Sequence, residues 1–259
     1  MALILEDAVM AILDNWKQKR LTQKIQKNSH YLTKKTSSKD GRLQAIEILK
    51  EIETPEAIAG LLQRFRLTVP EITQDEEEKD YVSGIIAACG SKAKQPLIDF
   101  IDRYDEVMHP LTLLAKLIPQ EELIAILRDK IEDIGELYSS MKTMKVVEIL
   151  RHLARYKSDE LVDMAINFIS EYDDDEVILA AVEILEEQAN EKARMPLLEL
   201  IAQSEATQRI ILSVGDMFEK LHWSLKGSKN RNQIEAKLKV EFHILRKGFL
   251  KRRKEPEFS

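Results

Sequence analysis

The sequence predicts an all-α chain built from a repeated pair of helices. Three observations predict it: a composition of helix formers, apolar stripes at helical spacing, and the return of one stripe about every 34 residues. Eight Gly and seven Pro in 259 residues are few for a strand-rich fold, while Leu, Ile, Glu, Lys and Ala dominate.

At the N-terminus, Leu5, Val9, Ile12 and Trp16 are spaced four, three and four apart. This is the stripe of an amphipathic helix, read as a cap for the first repeat with Trp16 packed in the core. Lys17, Lys19, Arg20, Lys24 and Lys27 make its continuation basic. Paired helices follow near 39–52 and 55–67, 79–89 and 92–105, 109–118 and 120–134. Two more pairs lie near 142–157 and 159–171, then 175–189 and 191–204, and a helix at 206–225 opens the last unit. Thr54-Pro55-Glu56 reads as a cap, a first-turn proline and a first-turn acid. Gly90 before Ser91 reads as a helix-ending glycine followed by the next cap. Past a polar loop at 226–232, Ile234, Leu238, Phe242, Leu245 and Phe249 form a stripe ringed by cations, read as a final amphipathic helix.

The repeat is visible in the residues themselves. Ala45-Ile46-Glu47-Ile48-Leu49 returns as Val146-Val147-Glu148-Ile149-Leu150 and as Ala181-Val182-Glu183-Ile184-Leu185. In the second helices, Phe65, Ile101, Ile131, Ile169 and Ile201 align at spacings of 36, 30, 38 and 32. Four residues earlier stand Leu61, Leu97, Leu127, Ala165 and Leu197; eight earlier stand Ala57, Ala93, Leu123, Leu161 and Ala193. Columns that stay apolar define one buried stripe per helix, and helix pairs at this period stack into an α-solenoid. The acidic turn Asp173-Asp174-Asp175-Glu176, the run Val177-Ile178-Leu179-Ala180-Ala181-Val182 and then Pro196-Leu197-Leu198 resemble a HEAT repeat. The resemblance to this armadillo-like family covers about 38–221, is clearest in the first and fifth units, and is interrupted near 135–140. It implies a right-handed α-solenoid of about six helix pairs. The expected organisation is a basic helical cap at 1–37, the repeats at 38–225, and a basic C-terminal amphipathic helix at 226–259.

No common catalytic signature is present: no Gly-rich phosphate loop, no G-x-S-x-G elbow and no H-E-x-x-H pair. One cysteine, Cys89, provides neither a disulfide nor a zinc framework, and its apolar neighbours mark a small buried hydrophobe. The five histidines stand singly, and none precedes a Glu, which sets the chain apart from the di-iron deoxyhypusine hydroxylases of the same repeat class. The acidic runs Asp75–Glu78 and 173–176 lack the ligand spacing of a calcium loop and suit helix starts. The sequence therefore leads us to expect no enzyme activity, no metal and no cofactor.

The net charge of −6 is unevenly spread. Residues 1–36 carry +4, the middle −17, and residues 221–259 carry +7. The start of the chain lacks the pattern of a signal peptide, and no apolar run reaches the ~20 residues of a membrane span. The expectation is a cytoplasmic, macromolecule-binding scaffold or adaptor, as the resemblance implies, with a protein partner and with self-association open. Lys251, Arg252, Arg253 and Lys254 are the candidate contact residues. Two alternatives stay open: a nucleic-acid-binding or repair module acting through the basic ends, akin to the alkylpurine DNA glycosylases, and a lyase akin to the bilin lyases.

Overall fold

The computed structural model describes residues 2–134 and 140–253, with side chains described for 13–131 and 143–253. All of the interruption expected at 135–140 except Ser140, the side chains of Leu5, Val9 and Ile12, and Lys254 lie outside the described residues. Helices account for nearly all the regular structure, and the chain divides into two compact units, Met1–Ile126 and Leu127–Ser259. Among the described residues no helix is long and apolar enough to cross a membrane.

The first unit contains α1 (Ala2–Thr33), α2 (Lys39–Lys50), α3 (Pro55–Leu62), α4 (Ile72–Ala88), α5 (Lys94–Arg103) and α6 (Met108–Leu117). Helix α7 (Gln120–Ile134) carries the boundary between units. Alternate helices are neighbours, which gives two rows, α1–α3–α5 and α2–α4–α6. Local chemistry sets the starts. The Ser38 and Thr54 hydroxyls cap α2 and α3 by accepting from Gly41 N and Ala57 N, and Pro55 opens α3. Gly90 takes the left-handed conformation expected of a helix-ending glycine, at φ 56°. Ser91 then lies in a 3-10 turn, Gly90–Ala93, so α5 begins only at Lys94.

The second unit contains α8 (Ser140–Leu153), α9 (Asp159–Glu171), α10 (Asp175–Gln188), α11 (Arg194–Ala202), α12 (Gln208–Lys220) and α13 (Arg231–Leu238). Its rows are α8–α10–α12 and α9–α11–α13. All fifteen positions of the second-helix stripe are buried, and so are Ile46, Val147 and Val182 in the first helices. Hydrogen bonds between successive helix pairs, running along the rows, carry the sequence period into three dimensions. Gln188 brackets the α8–α9 corner, donating to Tyr156 O at 2.6 Å and accepting from Ser158 N at 3.0 Å. Thr207 Oγ1 donates to Asp175 at 2.7 Å, Gln233 to Ala202 O at 2.6 Å, and Lys94 to Glu122 at 2.5 Å. These bonds span 32, 30, 32, 31 and 28 residues, close to one sequence repeat.

Two expectations are corrected. Trp16 is not in the core: it is 56% exposed, and Leu13 is 46% exposed. Helix α1 runs 32 residues and packs on α2 and α3, and among its described side chains Ile25, Asn28 and Leu32 are buried. The C-terminal segment is not one amphipathic helix. Helix α13 stops at Leu238, and β1 (Phe242–Ile244) pairs antiparallel with β2 (Leu250–Arg252). The stripe mixes two periods. Ile234 and Leu238 are helix-spaced, whereas Phe242 and Ile244 alternate as in a strand, and Gly248 at φ 82° makes the reversal.

Candidate partner-binding surface

The sequence-predicted contact residues lie on this hairpin, and the structure separates their roles. Alternation puts Phe242, Leu250 and Arg252 on one face and the cross-strand pair His243 and Lys251 on the other. The inner face seats on α12. The Phe242 ring lies where a Cβ on Gly215 would come within 2.5 Å of it, so only glycine admits the ring. Arg252 closes the seat: its guanidinium pairs with Asp216 and lies 5.5 Å from the Phe242 ring, while its N–H donates to Glu219 Oε2 at 2.7 Å. Arg253 ties back to the end of α13, donating from Nε to Lys239 O at 3.1 Å and from N to Glu241 O at 2.8 Å. Arg252 and Arg253 therefore anchor the hairpin, whereas Lys251 points into solvent.

The turn brings further cations together. Ser224 Oγ donates to Lys247 O at 2.8 Å, and Leu225 N donates to Gly248 O at 2.9 Å. This holds the 224–229 loop beside the turn, with Lys226 Cγ 3.7 Å from the Cβ position of Gly248. Arg194 Nη1 fixes that loop from below, donating to Ser224 O and Lys226 O at 2.8 and 2.7 Å. Lys226, Arg246, Lys247 and Lys251 are exposed around this corner, with Lys229 further along the loop, and none of the five has an acidic partner among the described residues. Leu245, in their midst, is 47% exposed.

The helices of the same unit treat their cations differently. Arg209 reaches Glu176 at 2.7 Å, Lys220 reaches Glu186 at 2.6 Å, and Arg151 bridges Glu176 and Glu183. Three members of the acidic run at 173–176 are engaged locally. Asp174 caps α10 by accepting from Glu176 N at 2.9 Å, Asp175 accepts from Thr207, and Glu176 serves the two arginines.

Sequence reasoning missed one charged cluster, in the first unit. Helix α4 begins at Ile72, earlier than expected, because its acidic run faces two buried arginines. Arg42 makes a two-pronged pair with Glu78 at 2.7 and 2.8 Å, and Arg64 reaches Glu78 at 2.8 Å and Asp75 at 2.7 Å. Lys79 Nζ completes Asp75 at 2.6 Å, and Gln74 donates to Glu78. Burial alone would raise the Glu78 carboxyl, but hydrogen bonds from Arg42, Gln74 and Arg64 overcome it and hold the group at about 2. The usable signal was that Arg64 stands inside the apolar run Leu61-Leu62-Gln63-Arg64-Phe65. With its atoms saturated and almost wholly shielded from water, this cluster is a structural lock for the long α3–α4 connection.

The remaining chemical groups are dispersed. His109 stacks on Phe65 at 4.9 Å, and burial lowers its pKa, assisted by Lys79. His152 is buried beside Tyr156, and burial pushes it down to about 4. His30, His222 and His243 are exposed. The Cys89 thiol donates to Ile85 O at 3.3 Å and is pushed up by burial, with Glu53 adding to the rise. Trp223 packs edge-on against Phe218, with ring centres 5.5 Å apart. Trp16 carries the Arg20 guanidinium 3.7 Å over its ring.

Compared with protein-family models, curated proteins and solved structures, the chain matches none.

Proposed function

We propose that the chain is a non-enzymatic, protein-binding scaffold, built as a right-handed α-solenoid of HEAT-like helix pairs and working in the cytoplasm. One observation carries the functional part. Along the α8–α10–α12 row Arg151, Arg209 and Lys220 pair with acids of the neighbouring helix, yet five cations around the hairpin corner have no acidic partner among the described residues. Exposed charge of this kind has no folding role to explain it and is available for a partner of opposite sign. The two alternating rows and the hydrogen bonds that repeat at about one period support the solenoid reading. The same cations favour a second reading, nucleic-acid binding through the basic C-terminal region.

Affinity capture with the full chain separates the two. Wild type is compared with the quadruple variant Lys226→Glu, Arg246→Glu, Lys247→Glu, Lys251→Glu, and any captured protein is repurified and titrated by calorimetry. A protein that binds wild type stoichiometrically and loses the variant supports the scaffold reading. Capture that disappears on nuclease treatment overturns it in favour of the second.

A further inference from the structure

We infer that the hairpin corner is a docking site for an acidic protein segment that carries an apolar residue, with Leu245 as the apolar contact and Lys226, Arg246, Lys247 and Lys251 as the charge contacts. The inference rests on the protein-binding reading and names the partner's chemistry. Three features select this partner over a nucleic acid.

The first is Leu245, which sits 47% exposed between the outer hairpin face and the basic turn. Val240, at the other end of the hairpin, is 64% exposed. An apolar side chain in a ring of cations gains from an apolar group on its partner, which a phosphate backbone does not supply.

The second is the state of the aromatic rings. Single-stranded nucleic acid is held largely by stacking bases on exposed rings. Here Phe242 and Trp223 are buried, occupied in seating the hairpin and its loop, and Phe249 is half-buried.

The third is the reach of the patch. Away from this basic end the chain is acidic, with residues 37–220 carrying −17. The chain as a whole carries −6. A duplex, with a charge about every 1.7 Å along its axis, extends past the patch and meets repulsion. A short acidic segment ends where the patch ends. Screening over about 8 Å at physiological salt confines the attraction to that corner.

The corner is pre-formed. Arg252 and Arg253 pin the strands, Ser224 and Leu225 pin the turn, and Arg194 pins the loop. Binding then orders only the long cationic side chains and the incoming segment.

The test uses the full chain and three synthetic probes: an Asp/Glu-rich peptide with one central Leu, the same peptide with Ser at that place, and a short DNA duplex of equal charge. The expected order of affinity is Leu peptide, then Ser peptide, then duplex. The quadruple charge reversal should weaken the Leu peptide by at least about tenfold. Neutralisation of the same four residues to Gln should weaken it by less. Leu245→Ser should weaken the Leu peptide severalfold and leave the Ser peptide unchanged. All these positions are exposed, and circular dichroism verifies that each variant keeps its helix content. Equal affinity for the two peptides, tighter binding of the duplex, or binding untouched by charge reversal overturns the inference. If the captured protein partner still depends on the four cations while the Leu peptide does not bind, the partner chemistry fails and the scaffold reading stands. If neither depends on them, both fail.

Discussion

Replacing Glu78 with Gln should cost about 3 kcal/mol at pH 7 and almost nothing near pH 2. The Glu78 carboxylate sits between Arg42 and Arg64, both buried, and is held at about 2 against an ordinary value of 4.5. Each tenfold change in proton affinity corresponds to about 1.4 kcal/mol, so the charged form contributes about 3 kcal/mol once both states are ionised. The folded value lies below the unfolded one. The contribution is therefore present above pH 4.5, shrinks as pH falls, and is down to about 0.4 kcal/mol at pH 2. The geometry leads to the same magnitude, since removing one partner of a buried pair strands the other and costs about 3–5 kcal/mol. Urea unfolding of wild type and Glu78→Gln at pH 7, 5, 3.5 and 2.5 measures the difference. Two stability curves that stay parallel from pH 7 to pH 2.5 would refute the assignment of this charge, and so would a loss below about 1 kcal/mol at pH 7.

Gly215→Ala places a methyl 2.5 Å from the Phe242 ring and should cost about 1–3 kcal/mol. Hydrogen exchange at the Arg253 amide reports loss of the hairpin seat, and adding Phe242→Leu should recover part of it. Ala189 ends α10 in the left-handed region at φ 52°, so Ala189→Gly relieves about 1–2 kcal/mol of strain. A less constrained unfolded chain costs about 0.4–1 kcal/mol of that, and thermal unfolding should show a net gain of about 0.5–1 kcal/mol. His152 stays neutral in the fold down to about pH 4, while its unfolded form takes a proton below about 6.5. Its share of stability therefore falls as pH drops from 6.5 to 4 and then levels off; His152→Gln should remove that slope from the unfolding curve measured between those values.

The helix stripes were legible because burial of one face imposes a period on the sequence. Every aligned residue from Ala57 to Ile201 obeys it. Trp16 was not legible, because an amphipathic stripe states which face is apolar and not whether anything packs against it. The hairpin was missed for a different reason. Over the few residues from Phe242 to Phe249, helical and alternating patterns fit the same apolar positions, and the deciding fact is the Phe242 seat on Gly215, 27 residues away. Among the candidate contact residues, Lys251 keeps the exposed role, whereas Arg252 and Arg253 are drawn into anchoring. A run of cations cannot reveal which of its members finds an acid in three dimensions. The buried arginines were hidden for the same reason, since Arg64 and Glu78 declare their pairing only once the 3-10 turn after α3 faces α4.

The spacing of the hydrogen bonds between successive helix pairs bears on how the chain acquires its structure. Bonds that join residues 28–34 apart close small loops, and proteins dominated by such near-neighbour contacts fold quickly. At a synthesis rate of about 5–20 residues per second, the partner of any given helix leaves the ribosome about 2–7 seconds later. Each unit can thus lay down helix upon helix as it is made, with at most one apolar stripe waiting uncovered at the growing end.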